Sequence, residues 1–243
     1  MKRILALIFA LLMLCACAKT EAPNQTEQKE AVQEEVVTEK EEVKSENILT
    51  LTQSSFVNDG VKVVYPQVSE ENKNVPFEEI NKTLKEGALT ILDNYDKTVD
   101  GVVIEANYEV TCLGDSSISV AFNGYGNAPG AAHPNNHFYT VNVDITNGKK
   151  LGLGSFVTDV DRLVEYMKDK DIQIVIEGDD TKFPLNDIFD YDRIVECDNG
   201  ESGIHSYITE TALGISFEVP HALGDFMKFE LPIDELKAEG LVA

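Results

Sequence analysis

Two histidines four residues apart, His133 and His137, stand in the run Gly124-Tyr125-Gly126-Asn127-Ala128-Pro129-Gly130-Ala131-Ala132-His133-Pro134-Asn135-Asn136-His137. Imidazoles ligate metals and move protons near neutral pH. A pair at this spacing shares one metal ion only when a helix carries both, and Pro134 between them breaks a helix. No metal is therefore expected there, and His133 is assigned a loop-fixing hydrogen bond. Tyr125, Gly130, His133, Pro134, Asn135 and His137 make up the candidate ligand-contacting set. The run is rich in glycine but lacks the Lys-Ser/Thr of a phosphate-binding loop, which excludes nucleotide. Serine, histidine and aspartate occur without a Gly-x-Ser-x-Gly elbow. The 43 Asp and Glu residues include no pair marked by a tryptophan-lined groove, since the chain has no Trp. No catalytic residue, cofactor or enzymatic activity is predicted. Asp187, Asp190, Asp192 and Glu196, with Asp179 and Asp180 upstream, invite comparison with a calcium loop. That loop needs Gly at its sixth position, where Asp190 as the first residue puts Val195, so the cluster reads as a solvated acidic face.

Cysteine chemistry sets the compartment. Met1-Lys2-Arg3 precedes an apolar run, Ile4 to Leu14, shorter than the roughly 20 residues a membrane helix needs, so it reads as an export signal. The run closes on Leu14-Cys15-Ala16-Cys17, which resembles the bacterial lipobox. The resemblance implies removal of residues 1–16, transfer of a diacylglycerol to the Cys17 thiol, which brings at least two acyl chains with palmitate among them, and stable attachment to a lipid bilayer outside the cytoplasm. An ordinary secreted protein is the other outcome of such a signal. Cys112 and Cys197 remain. Export permits a disulfide between them, and two small buried hydrophobes fit equally well.

Loss of Lys2 and Arg3 with the signal would take the formal net charge from −23 to −25. Such a field repels nucleic acid and anionic lipid and attracts cationic partners. Residues 17–47 carry nine Glu and three Lys between Glu21 and Glu46, without Gly or aromatic residues. They cannot bury enough apolar surface to offset ordering, and the segment reads as a disordered acidic tether.

The remaining chain must build the scaffold. Ile48 to Thr52 and Val61 to Tyr65 read as a hairpin about Asn58-Asp59-Gly60, ended by Pro66. Pro76 opens an amphipathic helix through Phe77, Ile80, Leu84, Ala88, Ile91 and Tyr95. Val99 to Thr111 and Ser116 to Phe122 alternate as long strands, with a slip at Ala106 that suggests a bulge. Phe138 to Ile145 resumes the sheet after the histidine loop. Thr158 and Asp161 suggest a capping box for a second helix that buries Val160, Leu163, Val164 and Met167. Pro184 opens a helical turn to Phe189, and Tyr207-Ile208, Leu213 to Val219 and Phe226 to Leu231 read as closing strands. The order predicts α+β, mainly antiparallel, with helices packed on one face of the sheet.

Tyr65-Pro66-Gln67, the Phe77 to Leu92 helix, Gly130-Ala131-Ala132-His133-Pro134-Asn135, Asp144-Ile145-Thr146-Asn147-Gly148-Lys149, Leu151 to Phe156 and Leu231-Pro232-Ile233-Asp234-Glu235-Leu236 together resemble the extracytoplasmic module shared by PdaC-type peptidoglycan deacetylases, in their N-terminal region, and the lysozyme-sensing anti-sigma factor RsiV. The likeness covers about Ile48 to Lys237. It implies two consecutive α+β subdomains, residues 48–148 and 149–243, and a binding or sensing role without chemistry in the module. Where the family commonly has Gly-Gly-Ala-His, this chain has Gly130-Ala131-Ala132-His133, so a left-handed residue 131 would be harder to reach. No deacetylase domain or second hydrophobic span is visible. The expectation is a surface-anchored, non-catalytic lipoprotein that binds a peptidoglycan-type glycan or a cationic, lysozyme-like protein. The alternative is an accessory or catalytic part in peptidoglycan deacetylation or hydrolysis.

Overall fold

A computed structural model describes residues 49–242 apart from residues 73, 97 and 176–181. The signal segment, Cys17, the acidic tether, Asp179 and Asp180 lie outside the described residues. The fold is α+β and mainly antiparallel. β1 (Leu51–Asn58), β2 (Val61–Val68), β3 (Val103–Leu113), β4 (Ser117–Asn127), β5 (Asn135–Asp144) and β6 (Lys150–Leu151) form one sheet in chain order. Only the β2–β3 pairing is parallel, because α1 (Phe77–Ala88) and a 3-10 turn (Leu89–Asn94) carry the chain across between them. α2 (Val160–Asp169) and a short hairpin of β7 (Gln173–Val175) and β8 (Lys182–Pro184) follow. β9 (Ile204–Ile208), β10 (Ala212–Glu218) and β11 (Phe226–Pro232) make a second antiparallel sheet with β10 central, and α3 (Ile233–Ala238) closes the chain.

The helical spacing in the sequence is realised. Ile80, Leu84, Ala88 and Ile91 are buried against Val63, Tyr65, Phe122, Tyr139 and Val141 of the first sheet. Leu163, Val164 and Met167 of α2 enter a separate core with Leu185, Ile194, Ile215 and Phe229. Three local expectations are corrected. Pro66 does not end β2, which continues to Val68; beyond Val63 β2 has no β3 partner, so an imino residue there breaks no ladder bond on that side. The β3 bulge lies between Val110 and Cys112, and Ala106 keeps the buried face in register. α2 is capped by Asp159, whose carboxylate accepts the Arg162 N–H at 3.1 Å, while Thr158 Oγ1 donates to the carbonyls of Gly240 and Leu241. Cys112 and Cys197 are free thiols. Cys112 is half-buried on β3, whereas Cys197 is buried in the second core, so they serve separate packing environments.

Both faces of β4 and β5 are covered. α1 lies on one, and β9 on the other, where the side chains facing the second sheet are small or polar. Thr140 Oγ1 and Asn142 Nδ2 donate to the Ser206 carbonyl at 2.6 and 2.9 Å. Ser119 Oγ donates to Asn142 Oδ1 at 2.6 Å and accepts the Ile208 N–H at 3.0 Å. The Asp198 carboxylate accepts the backbone N–H groups of Leu153 and Ser206, tying the segment after β6 to β9. Phe138, Tyr207 and Phe226 flank this belt as an aromatic cluster. These bonds hold the second sheet at one fixed angle to the first and leave a cleft beyond the belt.

Candidate ligand-binding cleft

The glycine-rich run is mostly strand. β4 extends through Gly124 and Gly126 to Asn127, and β5 starts at Asn135, so the loop shrinks to residues 128–134. The glycines make space. A Cβ on Gly124 would stand 2.7 Å from the Glu105 carbonyl oxygen and 2.9 Å from the Ala106 Cβ, and Gly126 lies under the Tyr95 ring. Gly130 takes the left-handed conformation, with φ of 84°, and Ala131 does not, so one glycine suffices for the turn.

Beyond the polar belt, the open end of the β4–β5 hairpin faces the second sheet across a cleft of about 510 Å³, continuous with a groove of about 780 Å³. Asn136, His137, His221 and Phe226 line both. Asn94, Asn135 and Lys150 contribute from the first sheet and its helical crossover, and His205, Glu218 and Asp225 from the second. Ile174, Met227 and Lys228 wall the groove. All four histidines of the chain gather here, because His133 stacks on His221 with ring planes 8° apart and centroids 3.4 Å apart.

His137 is fixed from two sides. Its Nδ1 faces the Asn94 amide nitrogen at 3.4 Å, and its Nε2 lies 2.7 Å from the Tyr95 hydroxyl. An amide nitrogen only donates, which places the His137 proton on Nε2, directed at Tyr95. Burial pushes the His137 imidazole below its ordinary pKa, against the opposing pull of Glu218 and Asp225, and raises Tyr95. His205 is likewise pushed down by burial, with Asp198 opposing and Lys150 assisting.

Asp225 joins the two sides. Its backbone sits in the left-handed region at φ 75°. Its carboxylate accepts the Asn136 backbone N–H at 2.8 Å, the Asn136 amide at 3.0 Å and His221 Nδ1 at 2.8 Å. Burial pushes this carboxyl up, but the Asn136 N–H, His221 and the Asn136 side chain together carry it below the usual carboxylate range. A carboxylate that holds an imidazole in one tautomer is an arrangement used for proton transfer and for ligand orientation alike.

Of the six candidates from the sequence, Asn135 and His137 line the cleft and His133 reaches its rim through His221. Tyr125, 37% exposed, turns to Glu105, which raises its phenol pKa, and Gly130 and Pro134 shape the exposed turn. His133 Nδ1 lies 3.2 Å from the Pro134 carbonyl, a loop-internal bond. His205, His221, Asp225 and Glu218 escaped the sequence reading, and the only local signal was the four-residue spacing of His221 and Asp225. In the acidic cluster, Asp190 Oδ1 accepts the Asp192 N–H, Asp192 pairs with Lys168 at 2.6 Å and Glu196 pairs with Arg193 at 3.2 Å. Among the described residues no group of three or more His, Cys, Asp or Glu is placed to hold a metal ion, and no helix is long and apolar enough to cross a membrane.

No family model matches the chain, and no curated protein does. Its structural neighbours are DUF3298 family proteins. One, from Pseudomonas aeruginosa PAO1, is 12% identical with a TM-score of 0.45, over 88% of this chain and 97% of that one. Another, from Bacteroides fragilis NCTC 9343, has the same identity and score over 87% of this chain and 93% of that one.

Proposed function

We propose that this chain is a lipid-anchored extracytoplasmic binding module whose inter-sheet cleft takes a peptidoglycan-type glycan. The lining of the cleft carries the reading. Asn94, Asn135 and Asn136 offer amide groups, His205 offers an imidazole, and Phe226 supplies an apolar face. Amides and neutral imidazoles both donate and accept, which suits the hydroxyl and acetamido groups of a sugar chain. The motif order that resembles the PdaC and RsiV module supports binding without chemistry, and the lipobox-like Leu14 to Cys17 supports a place at the cell membrane.

A second reading, capture of a cationic lysozyme-like protein, is favoured by the formal net charge of −23, which would steer a basic partner most strongly at low ionic strength. Titrating the purified protein with soluble peptidoglycan fragments and with lysozyme, at about 50 mM and about 500 mM salt, separates the two. Glycan binding in the cleft is expected to persist at high salt and to weaken by about tenfold in Asn135→Ala, roughly the loss of one well-made polar contact. Lysozyme binding that disappears at high salt would favour the second reading. Turnover of the fragments would favour the enzymatic alternative, and no binding of either probe would overturn both binding readings.

A further inference from the structure

We propose that Asn199 is a site of spontaneous deamidation, through which the rim of the cleft gains a carboxylate as the folded protein ages. The reaction needs no enzyme. The Gly200 backbone nitrogen gives up its proton to hydroxide and attacks Asn199 Cγ; a C–N bond forms, the Cγ–Nδ2 bond breaks, and the departing nitrogen takes up a proton and leaves as ammonia. Water then opens the resulting five-membered succinimide at either carbonyl. Opening at Cγ leaves aspartate, and opening at the main-chain carbon leaves isoaspartate, whose backbone runs through Cβ and Cγ. One water is consumed for each ammonia released, and no electrons are transferred.

The chain has three Asn-Gly pairs, Asn123-Gly124, Asn147-Gly148 and Asn199-Gly200, in each of which a glycine leaves the attacking nitrogen unshielded by a side chain. Folding locks the first two. Asn123 and Gly124 lie inside β4, paired with β3 on one side and β5 on the other. At Asn147, Nδ2 donates to Asp144 Oδ2 at 2.7 Å, and the nitrogen that must attack, that of Gly148, donates to the Asp144 carbonyl at 2.8 Å. Gly148 is also clamped on α1: a Cβ there would stand 2.5 Å from the Glu79 Cβ, and Thr83 Oγ1 donates to the Gly148 carbonyl at 2.6 Å. Asn199 and Gly200 have no such restraint. Both are exposed in the turn between the 3-10 segment Tyr191–Glu196 and β9, and a Cβ built on Gly200 meets no atom within 4 Å. Among the described residues, neither the Asn199 side-chain amide nor the Gly200 N–H has a hydrogen-bond partner.

The position gives the change its effect. Gly200, Glu201 and Gly203 line the cleft beside His205 and Glu218. Directly before Asn199, Asp198 sits in the left-handed region at φ 64°, and its carboxylate accepts the N–H groups of Leu153 at 2.8 Å and Ser206 at 3.0 Å. An isoaspartate at 199 therefore inserts a negative charge and one extra backbone carbon between that anchor and the cleft wall.

The test is incubation of the purified chain in mildly alkaline buffer, with and without guanidinium chloride, followed by peptide mapping in a mass spectrometer, which follows each asparagine separately. In the denaturant all three sites should deamidate at comparable rates. Folding should slow Asn123 and Asn147 by about tenfold or more, because the hydrogen bonds at the attacking nitrogen must open first, and Asn199 by less than about threefold. The aged native protein should also gain a more acidic species on anion exchange, with the change mapped to residue 199, that fails to form in Asn199→Gln. An Asn199 rate in the folded chain no higher than that of Asn147, a slowing on folding as large as at the other two sites, or an acidic species that still forms in Asn199→Gln would overturn the proposal.

Discussion

Gly126→Ala tests how the cleft wall is built. Gly126 lies on β4 between Ile104 and Asn135, and its φ is not in the left-handed region, so alanine meets no backbone objection. The obstacle is Tyr95. A Cβ at position 126 would overlap its hydroxyl and ring, standing only 2.7 Å from Cε2. Tyr95 must then move, and its 2.7 Å bond to His137 goes with it. Overpacking of this kind costs about 1–3 kcal/mol. The lost hydrogen bond adds about 0.5–1.5 kcal/mol. A total of about 2–4 kcal/mol corresponds to a fall in Tm of about 5–15 °C for a domain of this size. Urea denaturation of the parent, Gly126→Ala, Tyr95→Ala and the double variant forms a closed cycle. If the ring is the obstacle, the alanine at 126 becomes nearly neutral once Tyr95 is truncated, which gives a coupling energy of about 2 kcal/mol. A Gly126→Ala cost below about 0.5 kcal/mol, or one unchanged in the Tyr95→Ala background, would refute the reasoning.

Acid should weaken the fold before its carboxylates titrate. Burial depresses the imidazole pKa of His137 and His205 in the folded state, so unfolding takes up protons; their contribution is complete above about pH 6.5 and declines below it, by at most about 1.4 kcal/mol per histidine per pH unit. The urea midpoint should fall between about pH 7.5 and about pH 5.5, and fall less in His205→Gln; equal drops would rule out that histidine as a source. The thiols offer a further check. With Cys197 buried and its pKa raised by burial and by Asp198, it should resist alkylation in the native protein, and both Cys112 and Cys197 should titrate as free thiols after unfolding without reductant. A missing pair of thiols would contradict the packing described for them.

Regular periodicity made the helices and closing strands legible. The stripe Ile80, Leu84, Ala88 and Ile91 could only be a buried helical face, and so could Leu163, Val164 and Met167. Gly124 and Gly126 misled because glycine signals a loop in sequence, whereas here it marks strand positions crowded by Ala106 and Tyr95. Ser119, Thr140 and Asn142 alternate with Val120, Val141 and Val143 as a solvated face would, yet they are buried, because the second sheet brings the Ser206 carbonyl and the Ile208 N–H to meet them. Half of the cleft was visible for a similar reason. Asn135 and His137 sit beside the turn residues that drew notice, whereas His205, His221 and Asp225 become their neighbours only through the docking of β9 and β11, which local pattern does not encode.

The hydrophilic belt between the sheets has a consequence for how such a molecule can be altered. An oily seam tolerates sliding and re-facing, but the bonds among Ser119, Asn142, Thr140 and Ser206 demand fixed directions and leave buried polar atoms stranded if either partner shifts. The halves therefore cannot be exchanged as cassettes with those of a distant relative unless the β4–β5 hairpin and β9, far from it along the chain, are recoded together. Drift in the outward-facing turns is free of that bond, so new ligand preferences can arise at the mouth of the cleft while the hinge between its walls stays frozen.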